Sequence, residues 1–314
     1  MYNYNDEIQK KMAERIFMEQ LEECEKFPKY VEIEPTDRCN ARCIMCTKSI
    51  SQNEHVSTIS DALFDKIVNE IKEYADWIEW VTIQWMGEPL LDMQLEDRIR
   101  KLKSAGIKKV MLNTNASLLN AERCERLLNA GLDDLRMSID SIHKDTFEII
   151  RRGLDFDTVM ENALNAIKIR NRVRPQTQIR IRMVDLKENH EEVDEWLEFW
   201  KKQLKDGDMA QVTPQHTTAL WNNNTDVNEH WIKEPCISLF STIVISAEGR
   251  VALCCLDSEF NYELGNINDK TIKEVWNGET IREYRKMHLS GKRNEMLLCR
   301  GCDCWDRSYK GGSI

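Results

Sequence analysis

Three cysteines, Cys39, Cys43 and Cys46, are set in the run Glu34-Pro-Thr-Asp-Arg-Cys-Asn-Ala-Arg-Cys-Ile-Met-Cys. The C-x3-C-x2-C spacing supplies three thiolates from one short loop, whereas a cubane 4Fe–4S cluster needs four ligands. A cube tied by three thiolates leaves one iron open to a substrate or cofactor, and the chemistry is expected at that iron. A second group lies far downstream: Cys236, Cys254, Cys299 and Cys302, separated by 18, 45 and 3 residues. Two thiolates from a C-x2-C turn and two from distant segments suit a tetrahedral-type site, and this spacing alone leaves structural zinc and an iron–sulfur cluster both open. Cys255 and Cys304 are left over beside that set. Each can replace a ligand or sit inertly. Cys24 and Cys124 stand alone within helical patterns and read as small buried hydrophobes.

The bulk properties narrow the setting. A chain of 314 residues with 41% hydrophobic residues and nine Trp can bury a sizeable core, in one large domain or a large and a small one. The net charge of −10 argues against nucleic acid as a primary partner, since phosphate binding relies on a basic surface. No apolar run approaches the roughly 18 residues of a membrane span, so no membrane partner is expected. The first residues lack the charged-then-apolar build of a signal peptide. The expected location is therefore cytoplasmic, where thiols stay reduced and eleven cysteines serve metal ligation better than disulfides.

The elements that must position these cysteines follow a repeating rhythm. Ile8, Met12, Ile16 and Leu21 predict an amphipathic helix from about Asp6 to Lys26, within an N-terminal segment 1–29. Tyr30-Val-Glu-Ile-Glu reads as a strand leading into the cysteine loop. Further strands are predicted over Trp80–Trp85, Val110–Asn113, Leu135–Ile139, Ile179–Val184 and Ala210–Pro214. Helices are predicted over Leu63–Tyr74, Leu95–Ala105, Ala121–Ala130 and Val193–Lys202, with a helical stripe of Phe156, Val159, Met160, Ala163, Leu164 and Ile167. Alternation of this kind implies an α/β fold with a parallel sheet, here a partial (β/α)6 TIM-like barrel over 30–221. Such barrels carry their chemistry on loops at the C-terminal strand ends. The cysteine loop, Gly87-Glu88-Pro89 and Asn113-Thr114-Asn115 all fall there.

Along Gln178-Ile-Arg-Ile-Arg-Met-Val, the apolar Ile179, Ile181 and Met183 alternate with Arg180 and Arg182. In a barrel strand the apolar set meets the helices, so the two arginines point into the lumen. Arginines held there need anionic partners, either a cofactor carboxylate or an acidic side chain. From Asn222 the texture changes. A polar stretch opens a C-terminal unit, 222–314, containing the later cysteines, a hairpin-like piece (Thr242 to Leu253) and one helix near Ile272–Met287. A unit this short gains from a metal staple.

With these residues in place, the chain resembles a radical S-adenosylmethionine (SAM) enzyme from about Val31 to Trp305. The resemblance makes Cys39, Cys43 and Cys46 the ligands of a 4Fe–4S cluster whose open iron is chelated by the methionine end of S-adenosylmethionine. An electron then cleaves the sulfonium to give a 5′-deoxyadenosyl radical, which takes a hydrogen atom from substrate. Met45 stands where the family usually has an aromatic beside adenine. Gly87, Glu88 and Pro89 resemble the family's Gly-Gly-Glu-Pro turn, with Met86 replacing the first Gly. Asn115 and Ser138-Ile-Asp140 resemble segments that meet the ribose and carboxylate, and Arg151 resembles an arginine that pairs with that carboxylate. Cys236, Cys254, Cys299 and Cys302 resemble the ligands of a twitch domain, a shortened SPASM extension carrying one auxiliary 4Fe–4S cluster.

A fully ligated second cluster suits electron transfer. The twitch resemblance is closest to the butirosin-type aminocyclitol dehydrogenases, and it implies oxidation of a secondary alcohol to a ketone on a sugar- or aminocyclitol-like small molecule. The auxiliary cluster would then accept the second electron, with a reductant such as flavodoxin or ferredoxin starting the cycle. The alternatives are a sugar epimerase with Cys255 or Cys304 as hydrogen donor, a peptide-modifying or activating member of the family, and a zinc-binding adaptor without catalysis.

Overall fold

Short β-branched and apolar runs separated by amphipathic helices build the sheet. They form β1 (Tyr30–Ile33), β2 (Trp80–Ile83), β3 (Val110–Thr114), β4 (Asp134–Ser138), β5 (Gln178–Asp185) and β6 (Met209–Pro214). Three shorter strands follow, β7 (Thr242–Ile245), β8 (Arg250–Ala252) and β9 (Gly265–Asn266). These come from a computed structural model that describes residues 6–50, 56–215 and 235–302. The sheet order is β6-β5-β4-β3-β2-β1-β7-β8-β9. All pairings from β6 to β7 are parallel, and β7-β8-β9 run antiparallel. Among the described residues β6 does not pair back to the other edge, so the barrel is partial.

Alternation along each strand decides which side chain meets which environment. Val31, Ile33, Val81, Leu112, Ile179 and Ile181 are fully buried under the helices. The helix Asp61–Lys72 starts at Ser60, whose hydroxyl accepts the Leu63 N–H at 3.1 Å, and it buries Leu63, Phe64, Ile67, Val68 and Ile71. Phe156–Val173 starts at Asp155 in the same manner and turns Val159, Ala163 and Ile167 into the core. Phe156, Met160 and Leu164 pack at its margin. N-capping of this kind satisfies backbone donors that the helix cannot.

Two expectations are corrected. The N-terminal helix spans Asp6–Arg15 and does not continue to Lys26. Phe17 adopts φ 57°, which no α-helix accommodates, and a separate 3-10 turn covers Leu21–Glu25. The hydrophobic spacing runs across the break because Met12, Ile16, Leu21 and Cys24 all bury against one cluster with Phe240, Met296 and Leu298. The predicted helix near Ile272–Met287 is two helices, Ile272–Trp276 and Glu279–Leu289, parted at Gly278. The expected hairpin is β7–β8, and β7 also pairs with β1, Glu32 opposite Val244. The polar stretch from Asn222 lies outside the described residues. No helix of the described residues is long and apolar enough to cross a membrane.

Candidate active site

The loop after β1 carries Cys39, Cys43 and Cys46, and backbone bonds fix its path. Arg42 N–H donates to the Arg152 carbonyl (2.8 Å), Ile44 N–H to that of Ile150 (3.0 Å), and Cys46 N–H to that of Cys43 (3.0 Å). The Arg42 guanidinium holds the carbonyls of Cys39 and Ala41 at 3.0 and 2.8 Å. Cys43 is buried, while Cys39 and Cys46 are partly open. Burial raises the Cys39 and Cys43 thiols, and Arg151 pulls Cys43 back down. A bound cation would reverse the burial effect outright, since metal ligation deprotonates a thiol. Three thiols on one loop beside a guanidinium suit a cluster with one vacant iron.

The turn after β2 meets this loop at van der Waals limits. A Cβ on Gly87 would lie 2.0 Å from the Thr36 carbonyl oxygen and 2.7 Å from that of Arg38. Only glycine lets these backbones cross. Glu88 N–H donates to the Arg38 carbonyl at 2.7 Å. The Glu88 carboxylate is buried and clamps the neighbouring loop. Its Oε1 accepts from Leu90 N–H (3.0 Å) and Thr114 Oγ1 (2.6 Å), and its Oε2 from Asn115 N–H (2.8 Å). Burial raises its pKa and these donors lower it. Asn115 reaches back to the cysteine loop, its Nδ2 donating to Asn40 Oδ1 at 2.9 Å. Pro89 opens the 3-10 turn Pro89–Leu91.

Arg151 and Asp140 close the ring. Arg151 Nε donates to Asp140 Oδ2, and its Nη1 lies 3.6 Å from Cys43 Sγ. Asp140 is fully buried and also accepts Val184 N–H at 2.7 Å. Met45 packs at the edge of the core. Ser138 stands in register with Arg182 on the lumen side of β4. Arg180 meets Asp134 at 3.1 Å, and Arg182 faces Glu32. Of the two partners expected for these arginines, a cofactor carboxylate or an acidic side chain, Arg180 has an acidic side chain. Glu32, Arg136 and Asp134 were missed. The alternation used for β5 applies equally to Tyr30-Val-Glu-Ile and Asp134-Leu-Arg-Met, and would have shown them. Burial pushes Glu32 up to about 7, against the pull of Arg136 and Arg182.

Cys236, Cys254, Cys255, Cys299 and Cys302 converge on one another at the foot of the hairpin. Burial pushes Cys236 up to about 12, and also raises Cys254 and Cys299. A buried cluster of thiols whose neutral forms are favoured by desolvation is a donor set suited to cationic metal. Among the described residues, no three His, Cys, Asp or Glu side chains close around a single ion. A cube has its thiolates on separate irons and does not need them to close around one ion. Cys304 lies outside the described residues.

Residues 33–199 match the radical SAM superfamily, more than half of the chain, and residues 236–303 match the SPASM iron–sulfur cluster-binding domain. The chain belongs to the radical SAM superfamily. This radical SAM enzyme is similar to a tungsten-containing aldehyde ferredoxin oxidoreductase cofactor-modifying protein of Pyrococcus furiosus, 22% identical over 88% of this chain and 92% of that one. It is also similar to a GTP 3′,8-cyclase of Listeria welshimeri, 31% identical over 55% of this chain and half of that protein. Its fold is shared with BtrN in complex with AdoMet and 2-DOIA (TM-score 0.58, 16% identity, 89% and 94% covered). It is shared too with anSMEcpe with bound AdoMet (TM-score 0.64, 18% identity, 87% and 88% covered). The radical SAM domain takes S-adenosylmethionine and a 4Fe–4S cluster, and the SPASM domain takes auxiliary iron–sulfur ligation.

Beside the cofactor turn of this radical SAM enzyme lies a cavity of about 270 Å³, lined by Glu34, Trp85, Met86, Arg250 and Phe260 among others. Trp85 forms the wall shared with the auxiliary region. Its Nε1–H donates to the Cys255 carbonyl at 2.9 Å, and its ring meets Phe260 edge-on at 5.4 Å. No sequence signal marked Trp85, since a Trp at a strand end reads as core.

Proposed function

We propose that this enzyme oxidises a secondary alcohol of a small polyhydroxylated substrate, such as a sugar or aminocyclitol. The observation that carries the reading is the polar barrel lumen: Glu32, Gln84, Asn113, Arg136 and Arg182 come from five different strands or strand ends. Asn113 Nδ2 donates to Gln84 Oε1 at 2.9 Å, leaving its own oxygen buried without a donor. Paired amides and a carboxylate between guanidiniums suit hydroxyl and amino groups, and offer little to an apolar ligand.

When bound, S-adenosylmethionine and its cluster would supply hydrogen-atom abstraction, and an auxiliary cluster, which Cys236, Cys254, Cys299 and Cys302 would hold, would supply an electron acceptor. The chain's own residues do the rest. Cys39, Cys43 and Cys46 hold the first cluster. Gly87 to Pro89, with Asn115, Ser138, Arg151 and Met45, shape the cofactor site. Gln84 and Asn113 orient hydroxyls, and Glu32 accepts the hydroxyl proton, its pKa placed near neutrality as a general base requires. Arg136 and Arg182 hold that carboxylate in place, and Arg180 is tied to Asp134. A flavodoxin or ferredoxin type of reductant delivers the first electron.

The test is anaerobic reconstitution with iron and sulfide, followed by assay of 5′-deoxyadenosine against a panel of sugars and aminocyclitols deuterated at the carbinol carbon. Ketone formation with deuterium carried into 5′-deoxyadenosine, one per turnover, is the expected result. Cofactor cleavage that no polyol stimulates would overturn the substrate class. An epimerase reading rests on Cys255, which packs against the cluster containing Trp85 and accepts the Trp85 Nε1–H at its carbonyl. It requires solvent deuterium in the product and loss of that label in Cys255→Ala.

A further inference from the structure

Arg293 opens the 3-10 turn Arg293–Glu295 and is 7% exposed. Its Nη2 donates to the Cys302 carbonyl at 2.7 Å. The guanidinium also bonds the Cys302 side chain and lies within electrostatic reach of Cys236 and Cys299. The backbone that holds it continues directly into two of the thiols. Met296 N–H donates to the Arg293 carbonyl (3.1 Å), Cys299 N–H to Met296 (3.0 Å) and Cys302 N–H to Cys299 (3.3 Å). Its placement is therefore fixed by the same turn that places the cysteines.

Among the described residues, the other groups at this site bring no comparable positive charge. His288 is fully buried, and its Nδ1 accepts the Cys236 N–H at 3.1 Å, so the ring is neutral. Asp257 lies near Cys299, and its carboxylate is occupied by the N–H groups of Leu253, Asn261 and Tyr262. At the other centre, Arg151 beside Cys43 is matched by Asp140.

We propose that Arg293 is a positioning residue that raises the reduction potential of the auxiliary iron–sulfur cluster and so fits that centre to receive electrons. An oxidised cube inside four thiolates already carries net negative charge, and reduction adds one more. A fixed cation buried against the thiolates favours the reduced state, because cluster potentials follow local charge and hydrogen bonds to sulfur. This rests on the four-cysteine auxiliary ligand set and not on the identity of the substrate. A failure here is distinguishable from a failure of the alcohol-oxidation reading.

The experiment is potentiometry followed by electron paramagnetic resonance, without substrate, on the full chain. Cys39→Ala, Cys43→Ala and Cys46→Ala together leave only the auxiliary cluster. Arg293→Gln is expected to make reduction at least about tenfold less favourable, which for one electron is about 59 mV downward. Arg293→Lys, keeping the charge, is expected to retain most of the native potential. An Arg293→Gln potential equal to the native one overturns the proposal. Should Arg293→Gln lose the cluster, Arg293→His decides. Its potential must fall as pH rises through the imidazole range while that of Arg293→Lys does not, and parallel profiles overturn the proposal equally.

Discussion

Gly87→Ala is a one-carbon change placed where the turn after β2 crosses the start of the Cys39 loop at Thr36–Arg38. The added Cβ would sit 2.0 Å from the Thr36 oxygen, 2.7 Å from the Arg38 oxygen and 2.8 Å from the Asp37 carbonyl carbon. All three are backbone atoms, so no side chain can swing aside. Real Cβ atoms essentially never approach within 3.0 Å, so the Thr36 carbonyl must retreat by about 1 Å. It is not free to do so. Thr36 Oγ1 donates to the Ser57 carbonyl at 2.7 Å, Asp37 N–H donates to the same oxygen at 3.1 Å, and Glu88 N–H holds the Arg38 carbonyl at 2.7 Å. Overpacking of this kind costs about 1–3 kcal/mol, and losing the Glu88–Arg38 bond about 1 more. The functional loss is expected to be larger than the loss of stability, because a misplacement near 1 Å at a reacting centre costs about a hundredfold in rate. The assay pairs urea unfolding of the apo chain with iron content and 5′-deoxyadenosine formation after reconstitution. The expected variant folds, binds iron and cleaves S-adenosylmethionine about a hundredfold more slowly. A variant with at least half the native cleavage rate and an unchanged urea midpoint would refute the argument.

Glu88→Gln can present only one oxygen to the three donors that Glu88 now satisfies, so a buried N–H goes unpaired at a cost of about 1–3 kcal/mol; an unchanged unfolding free energy would dismiss the clamp. Arg151→Met leaves Asp140 buried with only the Val184 N–H among its described donors, a loss of about 3–5 kcal/mol that Arg151→Lys should partly restore. Equal stability of the two variants would count against the ion pair. Glu32 is held at about 7, above its ordinary 4.5, so the folded chain binds its proton more tightly than the unfolded chain. Its contribution is thus fully present below about pH 4.5 and lost as pH rises through 7. Glu32→Gln should flatten the fall in stability across that window, measured by urea unfolding at several pH values, and an identical slope would contradict the assignment. Trp85→Phe removes the donor to the Cys255 carbonyl and should cost about 1 kcal/mol while hastening loss of auxiliary iron to a chelator. Equal chelation rates would show that the bond does not hold the loop.

What the sequence disclosed was what local pattern carries. Ile179, Ile181 and Met183 could be placed outward and Arg180 and Arg182 inward because period-two alternation is a property of the strand itself. That Arg180 meets Asp134, and that Arg182 lies within electrostatic reach of Glu32, depends on how the strands are brought together, which no single strand encodes. The thiols of Cys39, Cys43 and Cys46 were visible because a metal loop must draw them from one short segment. Arg293 and His288 were not, since an arginine and a histidine between cysteines read as solvated until the turn that buries them is known. The helix drawn through Lys26 failed at Phe17, where a left-handed residue turns the chain while the apolar spacing continues.

The pairing of β7 with β1 joins the hairpin that leads to Cys254 and Cys255 to the strand that leads into the Cys39 loop. β1 delivers the chain into the Cys39 loop, and the β7–β8 hairpin is flanked by Cys236 before it and Cys254 and Cys255 after it. Adjacent strands stand about 4.8 Å apart, so the hairpin is set against β1 by backbone hydrogen bonds and not by the length of the intervening chain. Glu34 locks that register at the strand end. Its Oε1 accepts Met86 N–H at 3.0 Å and its Oε2 accepts Ala247 N–H at 3.2 Å, so one buried carboxylate ties the cofactor turn to the auxiliary hairpin. Burial pushes it up to about 7, and both backbone donors favour its ionised form. Glu34→Gln, which can accept only one of the two N–H groups, should therefore loosen both centres at once. The expected signature is a parallel rise in chelator sensitivity of the two clusters. Loosening of one cluster alone would show that the hairpin and the cofactor turn are held independently.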